Sequence, residues 1–595
     1  MDIQIITVLA IVAFTIFMLV TEKLRIDVTA IITMLLLAWT GILTSAEALS
    51  GFSSNAVVAM IGVMILGEGI SKTGMMSMFS KWLLSKVGDN KNTILGSLSL
   101  TVGGLSAVMS NIGAAAMMLP STLEIARKIK TSASVFIMPV GFMAIIGGAL
   151  TMVGSGHLIL TNDLLESADL DPYGLFAVTP VGLALLVATI LFFVLLGKYF
   201  LPQSEGKLEA TEQEKLIHAF NLKKDICYYK IPAESKLASH TVESSGIWIT
   251  YGINILAISH DKHIDYAPWR ETPFDDGQVL ALYGDKEQVE KFATDYNLVE
   301  TTSPKIFSGL NEPDETGFVE VIVPPRSELA GKTLREFAMR KRFAVEPIML
   351  FSNGAKVEGD FSDHIIKPGD TFIVFGPWNH IKNLESDDPF VVATPFSVDT
   401  KKPKKMVHAA ASFGIAIALA LSGFSISISF LTGAIIMVLL KVMTIQEAYK
   451  AIEWKVVFLL VGLIPLGVAM QNSGTAEFLA SGLMNLIEGS HLLVLLFSVA
   501  IMATFFSLVM SNVGAVVVLA PLVISIGLLA GVDPRPLVLL AAVNAGNSFI
   551  LPTHQVNALM MTAGGYKTKD YFKAGGGVTV VFLIVSVLFF YFTMF

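Results

Sequence analysis

Apolar runs long enough to cross a bilayer recur along this chain in two blocks, roughly 5–200 and 406–595. That recurrence limits the chain to folds that pair every backbone polar group internally, so each run is read as a helix. Composition agrees: 53% of the 595 residues are hydrophobic and 15% are charged, against about a quarter charged in a soluble domain. The first run, about 5–20, is followed by Glu22-Lys23-Leu24-Arg25 and by no cleavage pattern, so it reads as a retained helix rather than a signal peptide. The single cysteine, Cys227, excludes an internal disulfide and a cysteine metal cluster. No basic stripe with interleaved aromatics is present, so no nucleic-acid partner is expected.

The two blocks repeat each other. LSAVMSNIGAAAMMLP (105–120) matches FSLVMSNVGAVVVLAP (506–521), and ILGEGISKTG (65–74) matches PLGVAMQNSG (465–474). Thr44, Glu47 and Ala48 match Thr444, Glu447 and Ala448 in nearly the same register. Lys and Arg gather at 23–25, 72–91, 127–130, 198–207, 401–405, 441–455 and 567–573. The loops near 43–53, 164–173, 422–428 and 472–490 carry none, and Arg535 is the one outside exception. The positive-inside rule places the basic set in the cytoplasm. Segment 92–126 is then a hairpin that enters and returns, and 490–531 is a second one from the opposite face. The expectation is a polytopic α-helical membrane protein of two inverted repeats, 1–202 and 406–595. Each holds about five transmembrane helices plus one re-entrant hairpin. Such a chain crosses the inner or plasma membrane many times, with both termini outside and alternating access between its faces.

The intervening stretch, 203–405, is polar and strand-like, and is expected to be a cytoplasmic insert. It too is duplicated: SKLASHTV (235–242) matches SELAGKTL (327–334), and DGQVLALYGD (276–285) matches PGDTFIVFGP (368–377), both 92 positions apart. Two small α/β modules follow, near 221–300 and 315–392, within a linker and first domain (203–314) and a second domain (315–405). The pattern resembles the TrkA C-terminal (RCK-C) domain, without the GxGxxG of that family's nucleotide-binding partner domain. The resemblance implies a regulatory role, by a small cytoplasmic ligand or by dimerisation; a structural spacer is the plainer alternative.

Both hairpins carry Ser, Asn and Gly where they turn: Ser106, Ser110, Asn111 and Gly113 in one, Ser507, Ser511, Asn512 and Gly514 in the other. Neutral Ser and Asn oxygens suit sodium, and a helix beginning after the turn aims its N–H groups at an anion. The same residues also ease turning and close helix packing. After each hairpin comes an apolar segment interrupted by polar or helix-breaking residues. One contains Gly154-Ser155-Gly156-His157, the other Pro552-Thr553-His554-Gln555. Such interrupted segments at matching places in two halves point to a transport site. Pro552 is expected to end a half-helix, with Thr553 through Asn557 unwound. His157 and His554 are either hydrogen-bond donors to an oxyanion or packed polar groups.

The paired Ser-Asn tips, the interrupted helices and the late GGY (564–566) resemble the divalent anion/sodium symporter family, in the ion transporter superfamily. The resemblance implies two sodium sites: Ser106, Ser110 and Asn111 with the loop at Gly154, and Ser507, Ser511 and Asn512 with the loop at Asn547. The substrate would lie between Ser110, Asn111, Ile112, Gly113, Ser155, Gly156 and His157 on one side and Ser511, Asn512, Val513, Gly514, Thr553, His554 and Asn557 on the other. Ile112 and Val513 stand where the dicarboxylate members have Thr, and the Gly154–His157 stretch departs from their loop. With no Lys or Arg in either site, the expected substrate is a small tetrahedral anion such as sulfate or a sulfonate. The implied protein is a sodium-coupled, elevator-type symporter, a homodimer without organic cofactor. A dicarboxylate symporter, an exporter of an oxyanion such as arsenite, and a channel gated by the insert are the alternatives; the last lacks a TVGYG-like filter. No nucleophile–base constellation suggests an enzyme. Glu68 and Asp163 are candidates for ion coupling, and Glu124, beside Arg127 and Lys128, reads as a solvated helix end.

Overall fold

The structure is a computed structural model that describes residues 2–595 other than 22, 76–77, 79–89, 130, 203–211, 223–225, 261–262, 302–306, 308, 311–314, 326, 387–389, 395–404 and 488–490. Many of the basic residues used above to orient the loops lie outside the described residues. The chain divides into two compact units, one of Met1–Leu208 with Lys401–Phe595 and one of Glu209–Thr400.

The first unit is helical. Its first half comprises α1 (Ile3–Thr21), α2 (Ile26–Trp39), α3 (Asn55–Thr73), α4 (Lys91–Ser106), α5 (Asn111–Lys128), α6 (Ser134–Gly147), α7 (Gly156–Glu166) and α8 (Thr179–Phe200). The second half repeats these eight as α9 (Met406–Leu421), α10 (Ile426–Leu439), α11 (Trp454–Asn472), α12 (Leu492–Val509), α13 (Asn512–Ala530), α14 (Pro534–Ala545), α15 (Gln555–Gly564) and α16 (Thr568–Thr593). Local chemistry sets several ends. Thr44 and Glu47 form a reciprocal capping box, and Thr444 and Glu447 form its copy. Ser54 caps α3 by accepting from the Val57 N–H. Among the described residues seven helices are long and apolar enough to cross a membrane, including both arms of the second hairpin, α12 and α13. This is a multi-pass membrane protein.

The helices sort into two packed groups. One is α1–α3 with α9–α11, in which α2 packs on α11 and α3 on α10. The other is α4–α8 with α12–α16, in which α6 packs on α4, α5 and α15, and α14 on α12, α13 and α7. Each broken helix therefore lays its second half, α7 or α15, against the hairpin of the opposite repeat. Glycine permits this density: a Cβ on Gly147 would lie 2.3 Å from the Gly103 carbonyl oxygen.

The breaks fall differently from the sequence reading. α14 ends at Ala545, not at Pro552, and α15 already begins at Gln555, so Gln555 and Asn557 are helical. The non-helical stretch is 546–554, and Pro552 lies inside it. Its backbone is held against α16, where a Cβ on Gly575 would meet the Phe549 carbonyl oxygen at 2.0 Å. In the first half the matching gap lies between α6 and α7, with a short 3-10 turn at Gly148–Leu150. His157 stands in the first turn of α7.

The second unit holds two five-stranded antiparallel sheets. The first holds β1 (Cys227–Lys230), β2 (Asn254–His260), β3 (His263–Tyr266), β4 (Val279–Tyr283) and β5 (Val299–Glu300) in the order β3-β2-β4-β1-β5. The second holds β6 (Thr316–Ile322), β7 (Glu346–Ser352), β8 (Ala355–Lys356), β9 (Thr371–Pro377) and β10 (Val391–Val392) in the order β10-β6-β9-β7-β8, one topology used twice. The repeat reaches into detail. A bulge at Ile255/Ala257 recurs at Pro347/Met349, and the bridge Thr241↔Pro273 recurs as Thr333↔Ile365. Tyr228, Tyr283, Phe318 and Phe375 pack the two sheets together through one apolar cluster.

Candidate functional site

At the first hairpin turn Ser106 is fully buried, and its hydroxyl touches both Asn111 Oδ1 (2.8 Å) and the Ala144 carbonyl oxygen of α6. At the second, Ser507 does the same with Asn512 Oδ1 (2.8 Å) and the Ala545 carbonyl of α14. A hydroxyl has one proton to donate, so it satisfies only one of its two acceptors. Each cluster thus brings three neutral oxygens together with one hydrogen among them. That arrangement suits a small hard cation, which oxygen ligands bind.

The neighbouring residues fix these clusters. Asn111 Nδ2 reaches Ser155 Oγ at 3.4 Å, linking the tip to the broken segment. Gly148 makes room for the link: a Cβ there would lie 2.5 Å from Asn111 Oδ1 and 2.2 Å from Ser155 Oγ. Thr151 ties the same segment to the turn by donating to the Ala107 carbonyl at 2.7 Å. Ser110 and Ser511 accept the Gly113 and Gly514 N–H groups and so start α5 and α13. Gly113 and Gly514 therefore act through their backbone, while Ile112 and Val513 are half-buried and pack against the apolar core. Gly154 packs on the Gly148 carbonyl and donates its N–H to Thr151 Oγ1.

Asn547 is placed otherwise than a ligand of the Ser507 cluster through its side chain. Its amide is taken by Thr504 and by the Thr579 carbonyl, and its oxygen accepts from Thr579. Asn557 is fully buried and braces the 546–554 stretch by donating to the Ser548 and Leu551 carbonyls. Asn557 Oδ1 and Ser548 Oγ are nevertheless buried without a hydrogen-bond partner, a costly state that a bound ion or water would relieve.

The two broken segments meet. His157 Nε2 would be 3.5 Å from a Cβ on Gly546. His554 caps α15, with Nδ1 accepting the Val556 N–H at 3.2 Å. A neutral ring so placed carries its proton on Nε2, free to donate. Thr553 is exposed, while Ser155 and His157 are buried and Gly156 is half-buried. Glu68 is ion-paired with Lys72 at 3.8 Å, and Lys72 with Glu447 at 3.1 Å, at the far end of α3. The carbonyls of Ala144 and Ala545 were invisible to sequence reasoning, whereas Thr151, a polar residue inside an apolar run, was a signal that went unused.

In the second unit a cleft opens between the modules, lined by Trp248, Trp269 and Arg270 from the first and Arg335, Arg340 and Phe361 from the second. Arg340 pairs with the buried Glu346 through two contacts of 2.7 Å. Burial pushes the Glu346 carboxyl up, and Arg340 opposes that shift.

The family described as citrate transporter (CitMHS) matches residues 16–539 and 469–595. The chain is 28% identical to the Uncharacterized transporter YfbS of Escherichia coli (strain K12), over 98% of each chain. It is 29% identical to the Uncharacterized transporter sll0640 of Synechocystis sp., over 99% of this chain and 97% of the relative. A shorter similarity, 21% identity over 56% of this chain and 38% of the relative, joins it to Sodium/sulfate cotransporter 2 of Chlamydomonas reinhardtii. These relatives are transporters rather than enzymes, and with the family matched across both helical halves this chain belongs to the citrate transporter family of membrane transporters.

Proposed function

We propose that this protein is a sodium-coupled symporter of a small anion, with sulfate or a related sulfur oxyanion as substrate. The observation that carries the reading is the pair of matching clusters, Ser106–Asn111–Ala144 and Ser507–Asn512–Ala545, each with three oxygens sharing one hydroxyl proton. Sodium bound there places positive charge beside the starts of α5 and α13, and both helix ends add their own. His554 and His157 supply neutral donors, so an oxyanion is held without Lys or Arg. The name of the sodium/sulfate relative favours the same ion pair. In this reading the group α4–α8 with α12–α16 carries the site and moves against α1–α3 with α9–α11. The modules of the second unit adjust that activity through a small anionic ligand taken by the Arg- and Trp-lined cleft.

The test is uptake of radiolabelled sulfate into proteoliposomes, with and without an inward sodium gradient, and with succinate, citrate and taurine as competitors. Sodium-driven sulfate uptake that Asn111→Ala and Asn512→Ala each abolish is the expected result. Uptake that ignores sodium, or that survives in both variants, would overturn the sodium sites. Strong competition by succinate or citrate would replace sulfate by a carboxylate substrate.

A further inference from the structure

The two helix groups are not arranged symmetrically with respect to the repeat. α7 packs on α13 and α14, and its copy α15 packs on α5 and α6, as the repeat requires. But α7 also packs on α3 and α11 of the other group, and α13 packs on α11; among the described residues the corresponding contacts of α15 on α11 and α3, and of α5 on α3, are not among the principal ones. Under the two-position transport reading, this arrangement is one of the two that the repeat relates.

At the contact of α7 with α3, Asp163 takes the Ser54 hydroxyl and accepts from the Ala56 N–H at 3.0 and 3.2 Å through its two oxygens. One turn on, Glu166 accepts from Asn55 Nδ2 at 3.4 Å, and Asn55 in turn accepts from Ser427 of α10 at 2.8 Å. Asp163 is half-buried, at the positive end of a 19-residue helix, where a carboxylate is stabilised by the free N–H groups and poorly screened. The copy has none of this. At the Asp163 position α15 carries Thr562, which donates to its own helix at Ala558, and the N-cap of α11 is Glu453 in place of Ser54. Thr562 brings no carboxylate toward that helix start, and the Glu453 side chain makes no cap hydrogen bond there.

We infer that Asp163 is a one-sided latch: it stabilises the position in which α7 is docked on α3, and the opposite position has no equivalent. The resting equilibrium is thereby biased toward one face of the membrane before any ion binds, because an interaction present in one state alone shifts the population by its full strength. The inference rests on the two-position transport reading above and is independent of which ions are carried.

Intact protein in proteoliposomes, with Cys227→Ser, Ser45→Cys and Ser167→Cys, is spin-labelled at the two introduced cysteines, one on each group. Distance distributions are then recorded without substrate. The parent should show one dominant short distance. Asp163→Asn and Ser54→Ala should each raise a second, longer population on the order of tenfold relative to the first, the shift expected for losing a charge-assisted hydrogen bond. Asp163→Glu should restore part of the short population. Distributions unchanged in both Asp163→Asn and Ser54→Ala would overturn the latch. Should Asp163→Asn fail to fold, Ser54→Ala, which leaves the carboxylate in place, decides alone. A substrate other than sulfate leaves these distances as they are, so the latch and the substrate assignment fail separately.

Discussion

Glu243 and Arg335 occupy equivalent positions in the two modules of the second unit, 92 residues apart, and pair with each other at 2.6 Å. Arg335 also holds Asp363 at 2.7 Å, and these two carboxylates keep its guanidinium charged well beyond the ordinary Arg range, Asp363 contributing most. The groups are partly exposed, so their coupling is small, about 1 kcal/mol or less. Arg335→Ala should lower the unfolding temperature of the unit more than Glu243→Ala, because it removes both contacts at once, whereas after Glu243→Ala the guanidinium still holds Asp363. Thermal unfolding of the whole protein followed by tryptophan fluorescence reads this, since Trp248 and Trp269 line the same cleft. Equal effects of the two variants would refute the shared role of Arg335.

Gly148 and Gly104 offer a paired comparison. A Cβ on Gly148 would drive into Ser155 and Asn111, whereas one on Gly104 meets nothing within 4 Å. Gly148→Ala should reduce uptake by an order of magnitude or more, the scale of effect when binding groups are displaced by about an ångström. Gly104→Ala should transport normally. Uptake by the two variants in one vesicle preparation checks it; similar rates would mean that Asn111 does not need its present place.

Ser106→Ala and Ser507→Ala each remove one of three oxygens and leave the turn intact. The expected outcome is a rise of about tenfold in the sodium concentration for half-maximal uptake, equivalent to roughly 1.4 kcal/mol, with little change in the fold. A sodium titration of initial rates measures it. If only one variant shifts the titration, only one cluster binds sodium.

Tyr566 places its hydroxyl between the Met138 N–H, which donates to it at 2.8 Å, and the Ser134 carbonyl, to which it donates. In an unbroken helix those two backbone groups would pair with each other, so a side chain of the second repeat has entered a turn of α6. Gly564 clears the ring, since a Cβ there would lie 2.1 Å from it, and Gly565 takes a positive φ of 64°. This accounts physically for the GGY stretch. Tyr566→Phe should cost about 1–3 kcal/mol through the unsatisfied groups, read as a lower midpoint in thermal unfolding. No change in midpoint would show that the turn closes by itself.

What could be read from the sequence depended on how local its causes are. The capping boxes at Thr44 and Thr444, the hairpin turns at Asn111 and Asn512, and the two sheets of the insert follow from patterns within a few residues or from exact repetition. The break in the last interrupted helix was misplaced. Pro552 is the obvious helix breaker, but α14 ends seven residues earlier, where the backbone is gathered in by α16 through Phe549 and Gly575. The Asn547 side chain is likewise fixed by Thr504 and Thr579, partners on two other helices that no local pattern announces. The docking of Asp163 on Ser54 and Ala56 was not legible, because those partners lie more than a hundred residues away.

The cleft between the two modules has a consequence of its own. A pair built from two identical chains must present the same side chains on both walls. Here both walls come from one chain, and they differ: where the first module has Trp248 and Trp269, the second has Arg340 and Phe361. A molecule lying across this cleft meets two unlike walls, two tryptophans and an arginine on one side and two arginines and a phenylalanine on the other, and so can be read in only one direction.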